Sequence, residues 1–331
     1  MKTPPGASKA KLPEFIPPQL ATLVKEPPSS EQWLHEMKFD GYRMLCRIDG
    51  GNVQFWSRNA RDWTGKFPAI VETVKLLPAT SAFLDGEIVV VDAQGRSSFQ
   101  KLQRSMGKSV TTGFVYVVFD LMFLDGFDLR KTPLRLRKEV LEKLVKGAGR
   151  GLLRYSDHLE GNGDAFFRQA CKYGIEGIVS KLANSTYVST RSRNWLKVKC
   201  NKSQEFVIVG YTPSSKGLPG FGSLVLGVYD KRKLQYAGRV GTGFTFKQRA
   251  ELKKQLDRLS RQMSPFAVVP KDPGLRETHW SEPKLVGEVS FTEWTDDGSI
   301  RHPSFQGLRD DKNPREIVRE LAGDQGGVRK R

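Results

Sequence analysis

Glu36-Met37-Lys38-Phe39-Asp40-Gly41-Tyr42-Arg43 is the run whose reading decides the fold. Lys38 stands two residues before an Asp-Gly step and Arg43 two residues after it, among apolar neighbours Trp33, Leu34, Met37, Phe39 and Tyr42. An amine at such a strand end is partly desolvated, which weakens its hold on a proton and makes it a nucleophile. Asp40 sits where a carboxylate orients that amine, and Arg43 offers a fixed fork to phosphate or ribose oxygens. In isolation the segment reads better as a hairpin turn with a solvated lysine, because Asp-Gly is a common turn signal. The runs downstream reverse that preference.

Outward from the lysine, strands are expected on both sides within 33–48 and again at 52–57, ending at Ser57-Arg58-Asn59. Residues 67–77 read as a helix. The run 83–92 reads as two strand segments around Asp85-Gly86, with Glu87 just beyond. The apolar run 114–124 reads as a central strand. Leucines at helical spacing with Lys and Arg between them make 130–146 a surface helix, and 164–173 is a helix closed by Gly174. Strand alternation returns at 176–181 and 195–199, where Lys197 and Lys199 share a face. After Lys199 the composition changes. Short strands at 205–211, 222–229 and 234–240 are followed by a basic helix at 246–263, a strand at 285–294 and a final helix at 314–321. Five or so short strands with an internal helix suggest a small five-stranded barrel of the oligonucleotide-binding (OB) type.

The chain has 331 residues, which suits two domains. Four segments are expected: an N-terminal arm at 1–30, a first domain at 31–201, the barrel at 202–322 and a basic tail at 323–331. No apolar run is long enough to span a bilayer, and Met1-Lys2-Thr3-Pro4-Pro5 lacks a signal-peptide core, so a cytoplasmic location with no membrane role is expected. Cys46, Cys171 and Cys200 are too few for a four-thiolate zinc site and do not suggest a disulfide framework. The four histidines have no metal-ligand spacing. A net charge of +18 and a pI near 9.8 point to a polyanionic partner, nucleic acid first.

Lys38-Phe39-Asp40-Gly41-Tyr42-Arg43, Ser57-Arg58-Asn59, Asp85-Gly86-Glu87, Phe119-Asp120-Leu121, Glu176-Gly177-Ile178-Val179-Ser180-Lys181 and Trp195-Leu196-Lys197-Val198-Lys199 occur in an order and spacing that resembles the nucleotidyltransferase motifs of ATP-dependent DNA ligases. The run from Arg301 to Lys312 resembles the final motif of that family. Pro-Gln-Leu-Ala-Thr-Leu-Val at 18–24 and YAGRVGTGF at 236–244 are similar to the bacterial ligase D group, which serves end joining. The likeness covers roughly residues 14 to 322. Any one motif is weak evidence, but an ordered series is hard to produce by chance.

The resemblance implies an α+β nucleotidyltransferase (ATP-grasp-like adenylation) domain with antiparallel sheets, followed by an all-β OB-fold barrel domain. It implies ATP as AMP donor, Mg2+ or Mn2+, and duplex DNA with nicks or ends as substrate. The implied enzyme is a monomer at the bacterial nucleoid, with Ku and separate polymerase or end-processing proteins as possible partners. Lys38 is then the nucleophile and Asp40 its orienting carboxylate. Glu87 and Glu176 are the carboxylates near metal and ribose. Lys197 and Lys199 neutralise the α-phosphate and leaving group. Phe119 stacks on adenine, while Glu36 or the backbone beside it reads the exocyclic amine. Arg43 holds ribose or phosphate, Arg58 and Arg191 hold phosphates, and Arg309, Asp311 and Lys312 orient pyrophosphate when the barrel closes. Phe119 on its own reads as core, Arg191 as a loop charge and Asp311 as a helix-entry cap. The alternatives are an RNA ligase or mRNA capping guanylyltransferase, which share the lysine and the two-lysine strand, and a non-catalytic DNA-binding relative.

Overall fold

The computed structural model describes residues 4–320 apart from 93, 107–112, 147–150, 215–219, 269 and 271. The tail expected at 323–331 lies outside the described residues. The chain divides into two compact units at the Cys200/Asn201 boundary.

In chain order the first unit contains β1 (Ser8–Lys9), β2 (Leu20–Leu23), β3 (Trp33–Met37), β4 (Tyr42–Asp49) and β5 (Asn52–Ser57). A short helix α1 (Pro68–Val74), β6 (Ser81–Val90), α2 (Phe99–Met106), β7 (Phe114–Leu124) and β8 (Phe127–Asp128) follow. Then come α3 (Leu134–Lys146), β9 (Leu153–Tyr155), β10 (His158–Glu160), α4 (Gly163–Lys172), β11 (Gly177–Leu182) and β12 (Arg191–Lys199). One sheet runs β1-β8-β7-β6-β4-β5 with β9 beside β7, and the other runs β10-β3-β11-β12-β2.

The alternation of β4 explains the layering. Tyr42, Met44, Cys46 and Ile48 join a core with Ile70 and Val74 of α1, Phe99 and Leu102 of α2, and Leu141 and Leu144 of α3. Leu45, on the opposite face, packs with Phe83, Phe119, Phe123, Tyr187 and Trp195 in a second core. The helices thus cover one face of the first sheet, and Trp195 of β12 belongs to the other sheet. The far face of that second sheet is covered by α4, whose Ala170 packs with Val24, Ile178, Leu196 and Val198. β7 is apolar along almost its whole length because both of its faces are covered.

β3 and β4 lie in different sheets, so Lys38 to Gly41 is a crossing between layers and not a hairpin turn. Gly41 fits there because a Cβ would stand 2.2 Å from the Ile88 carbonyl oxygen.

Several expectations need correction. The two segments expected within 83–92 are one strand, β6, which runs through Asp85-Gly86 and ends at Val90; a bulge against β7 absorbs the irregularity without ending it. The segment expected as an arm is paired into both sheets, β1 with β8 and β2 in parallel with β12. Cys171 and Cys200 form a disulfide, with Cα atoms 5.3 Å apart. Sequence separation concealed this, since the end of α4 and the end of β12 converge on the β11 start, where the Cys200 N–H donates to the Glu176 carbonyl (2.9 Å).

The second unit contains β13 (Ser203–Thr212), β14 (Ser223–Asp230), β15 (Lys233–Val240), α5 (Phe246–Arg258), β16 (His279–Ser290), β17 (Glu293–Trp294), β18 (Ile300–Arg301) and β19 (Ser304–Leu308). Its antiparallel sheet has the order β15-β14-β13-β16-β19, an OB-type arrangement that is not a closed barrel. At the seam the Phe305 N–H donates to the Thr242 carbonyl (3.0 Å). Thr245 and Gln248 form a capping box that starts α5. The helix stops at Arg258, short of 263, because the next residues bond to the β16 region through Arg261 and Glu282. The final helix expected at 314–321 is only a 3-10 turn, Pro314–Glu316. Beyond it Val318 forms a parallel bridge with Tyr229, whose N–H donates to the Ile317 carbonyl (2.7 Å), so the segment pairs with a strand. Among the described residues no helix is long and apolar enough to cross a membrane.

Candidate active site

Strand register builds the site. Lys197 lies opposite Val179, and Val179 opposite Glu36; Trp195 lies opposite Lys181 and Lys199 opposite Gly177. Residues directly opposite one another share a face. One face of the second sheet therefore carries Glu36, Lys181, Trp195, Lys197 and Lys199, and Trp195 marks it as the face turned to the first sheet. The Lys38 backbone N–H donates to Gly177 O (2.9 Å), which fixes where the lysine leaves β3. Gly177 is required by close approach: a Cβ would lie 2.0 Å from Val198 O.

At the open end of this face, the Lys38 ammonium donates to Glu176 Oε2; their side chains keep 21% and 15% of their exposure. Asp40 is held by its neighbours across the layer, since its N–H donates to Ser97 Oγ (2.8 Å) and its Oδ2 accepts from the Phe99 N–H (3.4 Å) at the start of α2. Across the gap, Arg43 grips Asp85 with two bonds (2.5 and 2.6 Å) and reaches Gln19 O (3.2 Å), and Tyr187 donates to the same carboxylate (2.8 Å). Although burial opposes its charge, Asp85 and the further charge of Glu87 raise the guanidinium's pKa above its ordinary value. Glu87 is partly exposed and lies opposite Arg43 in the β4–β6 register. The Arg43 guanidinium lies 4.6 Å from the centroid of Phe119, whose ring is edge-on to Trp195.

Deeper on the same face, the Glu36 side chain is only 2% exposed. Its Oε1 accepts from Lys138 (2.8 Å), and its Oε2 accepts from Lys181 (2.9 Å) and from Ser156 Oγ (2.8 Å). Burial alone would raise this carboxyl's pKa, but the two ammonium groups bring it below the usual range. Burial lowers Lys181 to about 8 despite Glu36. Beside this cluster, Arg137 holds Asp120 with two bonds (2.7 and 2.8 Å).

Thus Lys38, Glu176, Glu36, Lys197, Lys199, Arg43, Glu87 and Phe119 converge between the sheets of the first unit, with Asp40 at the crossing. Arg58 sits in the turn that follows β5, closed by the Ser57 N–H to Arg61 O bond (2.9 Å). Arg191 is at the far end of β12, where it bonds the Ala21 carbonyl, roughly 20 Å along the strand from Lys197. Arg309, Asp311 and Lys312 are in the second unit. There Arg309 holds Asp311 (2.8 and 2.9 Å) and Glu288 (2.9 Å), while Lys312 pairs with Glu205 (2.9 Å). Asp311 is a buried ion-pair partner of Arg309, not a helix cap.

Sequence reasoning missed Lys138, Lys181, Ser156, Arg137 and Ser97. A signal existed for two of them. Leu134, Arg137, Lys138, Leu141, Leu144 and Val145 occupy one helical face, and all are buried, so these charges stood at core positions of a helix read as a surface one.

A lysine paired with a carboxylate between two sheets, with two more ammonium groups on the same face, is the arrangement expected of the covalent nucleotidyltransferases. Residues 18–199 match the family description "ATP dependent DNA ligase domain", and residues 218–312 match "ATP dependent DNA ligase C terminal region". The chain belongs to the ATP-dependent DNA ligase family. It is 40% identical over 318 residues to "Multifunctional non-homologous end joining protein LigD" of Pseudomonas aeruginosa, covering 95% of this chain and 38% of that protein. The protein of the same name from Mycolicibacterium smegmatis is 39% identical over 314 residues, covering 93% and 40%. The chain therefore spans about two fifths of the length of these relatives. Among solved structures, "mycobacterial DNA ligase D complexed with ATP and MES" matches with a TM-score of 0.68 and 36% identity, over 92% of this chain and 98% of that one.

Proposed function

We propose that this DNA ligase seals 3′-hydroxyl/5′-phosphate breaks in duplex DNA through a lysyl-AMP intermediate on Lys38, in the service of end joining. The observation that carries the reading is the Lys38–Glu176 pair on the sheet face shared with Lys197 and Lys199. In the first step the Lys38 amine attacks the α-phosphorus of ATP and pyrophosphate leaves. The 5′-phosphate of the break then takes AMP from the lysine, and the 3′-hydroxyl attacks that phosphate and expels AMP. Such transfers depend on position and on charge neutralisation. Lys197 and Lys199 supply positive charge at the phosphates, Asp40 orients the amine and later the 3′-hydroxyl, Phe119 stacks on the base, and Arg43 holds ribose or phosphate. Arg58 contacts outer phosphates, whereas Arg191, at the far end of β12 on the Ala21 carbonyl, is left out of that role.

Glu87 and Glu176 are hard oxygen donors of the kind magnesium or manganese takes. Magnesium takes one or two carboxylates and completes its shell with phosphate oxygens and water, a set these two residues could begin. Such a cation would shield the phosphate charge during transfer.

In the second unit, buried Arg309 and Asp311 form a frame beside Lys312, and these three are the groups for pyrophosphate. The printed names of the relatives support end joining; Ku and separate end-processing proteins as partners, at the bacterial nucleoid, extend that reading beyond those names. The enzyme acts as a monomer in this scheme. Intact-mass measurement after exposure to ATP and magnesium should show one AMP on Lys38, and nicked and cohesive-ended duplexes should be sealed, the latter better with Ku. Capture of GMP in place of AMP, or no adduct on a folded protein, overturns the proposal.

A further inference from the structure

The Glu36 carboxylate offers about four acceptor positions. Among the described residues Lys181 and Ser156 fill both on Oε2, and Lys138 fills one on Oε1. One position on Oε1 is left. The three donors come from separate parts of the fold, α3, β11 and the segment before β10, so the carboxylate's orientation is fixed from several directions at once. The cluster also adjoins the base platform. Lys181 donates to Phe119 O (3.4 Å) and its ammonium lies 4.3 Å from the Phe119 and Trp195 ring centroids.

We propose that Lys138, Lys181 and Ser156 are positioning residues for nucleotide selection: they hold Glu36 ionised and oriented so that its remaining Oε1 acceptor position takes the 6-amino group of a purine and repels a 6-carbonyl. The inference rests on the reading that ATP binds with its base against Phe119. A 6-carbonyl directed at a fixed carboxylate brings two acceptors together, with no proton between them. A buried site built to accept from an amino group therefore discriminates strongly against an analogue that lacks it. The two-to-one ratio of ammonium to carboxylate has a further consequence. Removing either lysine's charge leaves a one-to-one buried pair, so single variants keep a neutralised core while losing the fixed orientation.

The test is formation of the lysyl-nucleotide adduct with ATP and with inosine triphosphate, which carries a 6-carbonyl. Rates are followed by intact mass on the full chain, and KM and kcat are separated for each nucleotide. Lys138→Met and Lys181→Met should each reduce the ATP-to-ITP preference about tenfold or more, mainly through a higher KM for ATP. Ser156→Ala should reduce it about threefold, and Ser156→Thr, which retains the hydroxyl, should restore it. Folding is checked by thermal melt. If a lysine variant does not melt cooperatively, the two Ser156 variants decide. A folded variant set that keeps the parent's ATP-to-ITP ratio overturns the inference and leaves the ligase assignment intact. A parent that forms no AMP adduct overturns both.

Discussion

Glu36 and Lys38 leave the same strand only two residues apart, but their ion pairs have little in common. The Lys38–Glu176 pair is partly open to water. The Glu36 cluster is two-to-one, with all three charged side chains at 1–2% exposure. Water and substrate phosphate can compete for the first pair, so its members can exchange partners during a reaction. The second is costly to disturb, because any group that loses its partner there is left charged in an apolar interior. Along about 7 Å of one strand, the structure thus moves from a pair suited to chemistry to a cluster suited to holding a shape.

The largest effect expected from this contrast is at its open end. Lys38→Ala should remove lysyl-AMP formation and ATP-driven sealing to below detection, while a nick supplied already adenylated is still sealed. Its stability should lie within about 1 kcal/mol of the parent, as for most partly exposed pairs. Mass spectrometry, gel assays of sealing and a urea melt check these outcomes. Unimpaired sealing from ATP would remove the distinction between the two ends.

At the sealed end the expectation is reversed. Glu36→Gln leaves two buried ammonium groups without a countercharge and should destabilise the first unit by about 3–5 kcal/mol. A melt unchanged from the parent would mean that the cluster is wetter than its burial indicates. A third measurement asks what frames the open pair. The Cys171–Cys200 bond closes a loop with sequence separation 29 that contains Glu176, Lys181, Lys197 and Lys199. The loop-entropy relation gives about 3–4 kcal/mol for a loop of that size. Cys171→Ser should lower stability by that amount under oxidising conditions, and dithiothreitol should bring the parent down to the variant. Equal melting of oxidised parent and variant would show that the crosslink contributes nothing to the frame.

The two ends were also unequally legible in the sequence. Lys38, Glu176, Lys197 and Lys199 belong to short runs in a recognisable order, and strand alternation alone put both late lysines on one face. The antiparallel α+β fold of the first unit was implied by the family resemblance, and the apolar run 114–124 added that its strand is central. Lys138 and Lys181 could not be assigned that way, because their partner Glu36 lies 102 and 145 positions away in sequence. Local pattern carries no information about such pairings. The disulfide was hidden for the same reason, and the expected last helix failed because strand pairing with Tyr229 outweighed local helical pattern. Arg137 and Lys138 differ from these, since their spacing on α3 already placed two charges among core leucines.

A further prediction concerns the charge of Lys181. Burial brings its pKa down to about 8 against an ordinary 10.5, with Glu36 and Asp120 working to raise it and Lys138 to lower it further. Below pH 8 the amine is charged in the folded and the unfolded chain, and above 10.5 it is neutral in both. Between these limits the unfolded chain holds a proton that the folded chain does not, so raising the pH favours the folded state. Other lysines and tyrosines titrate in the same range, which is why the useful quantity is a difference. The stability of the parent minus that of Lys181→Met should climb as pH rises from about 8 to 10.5 and level off beyond it. A flat difference would mean that Lys181 keeps its proton, and the sealed cluster would then have to carry its second positive charge throughout that range.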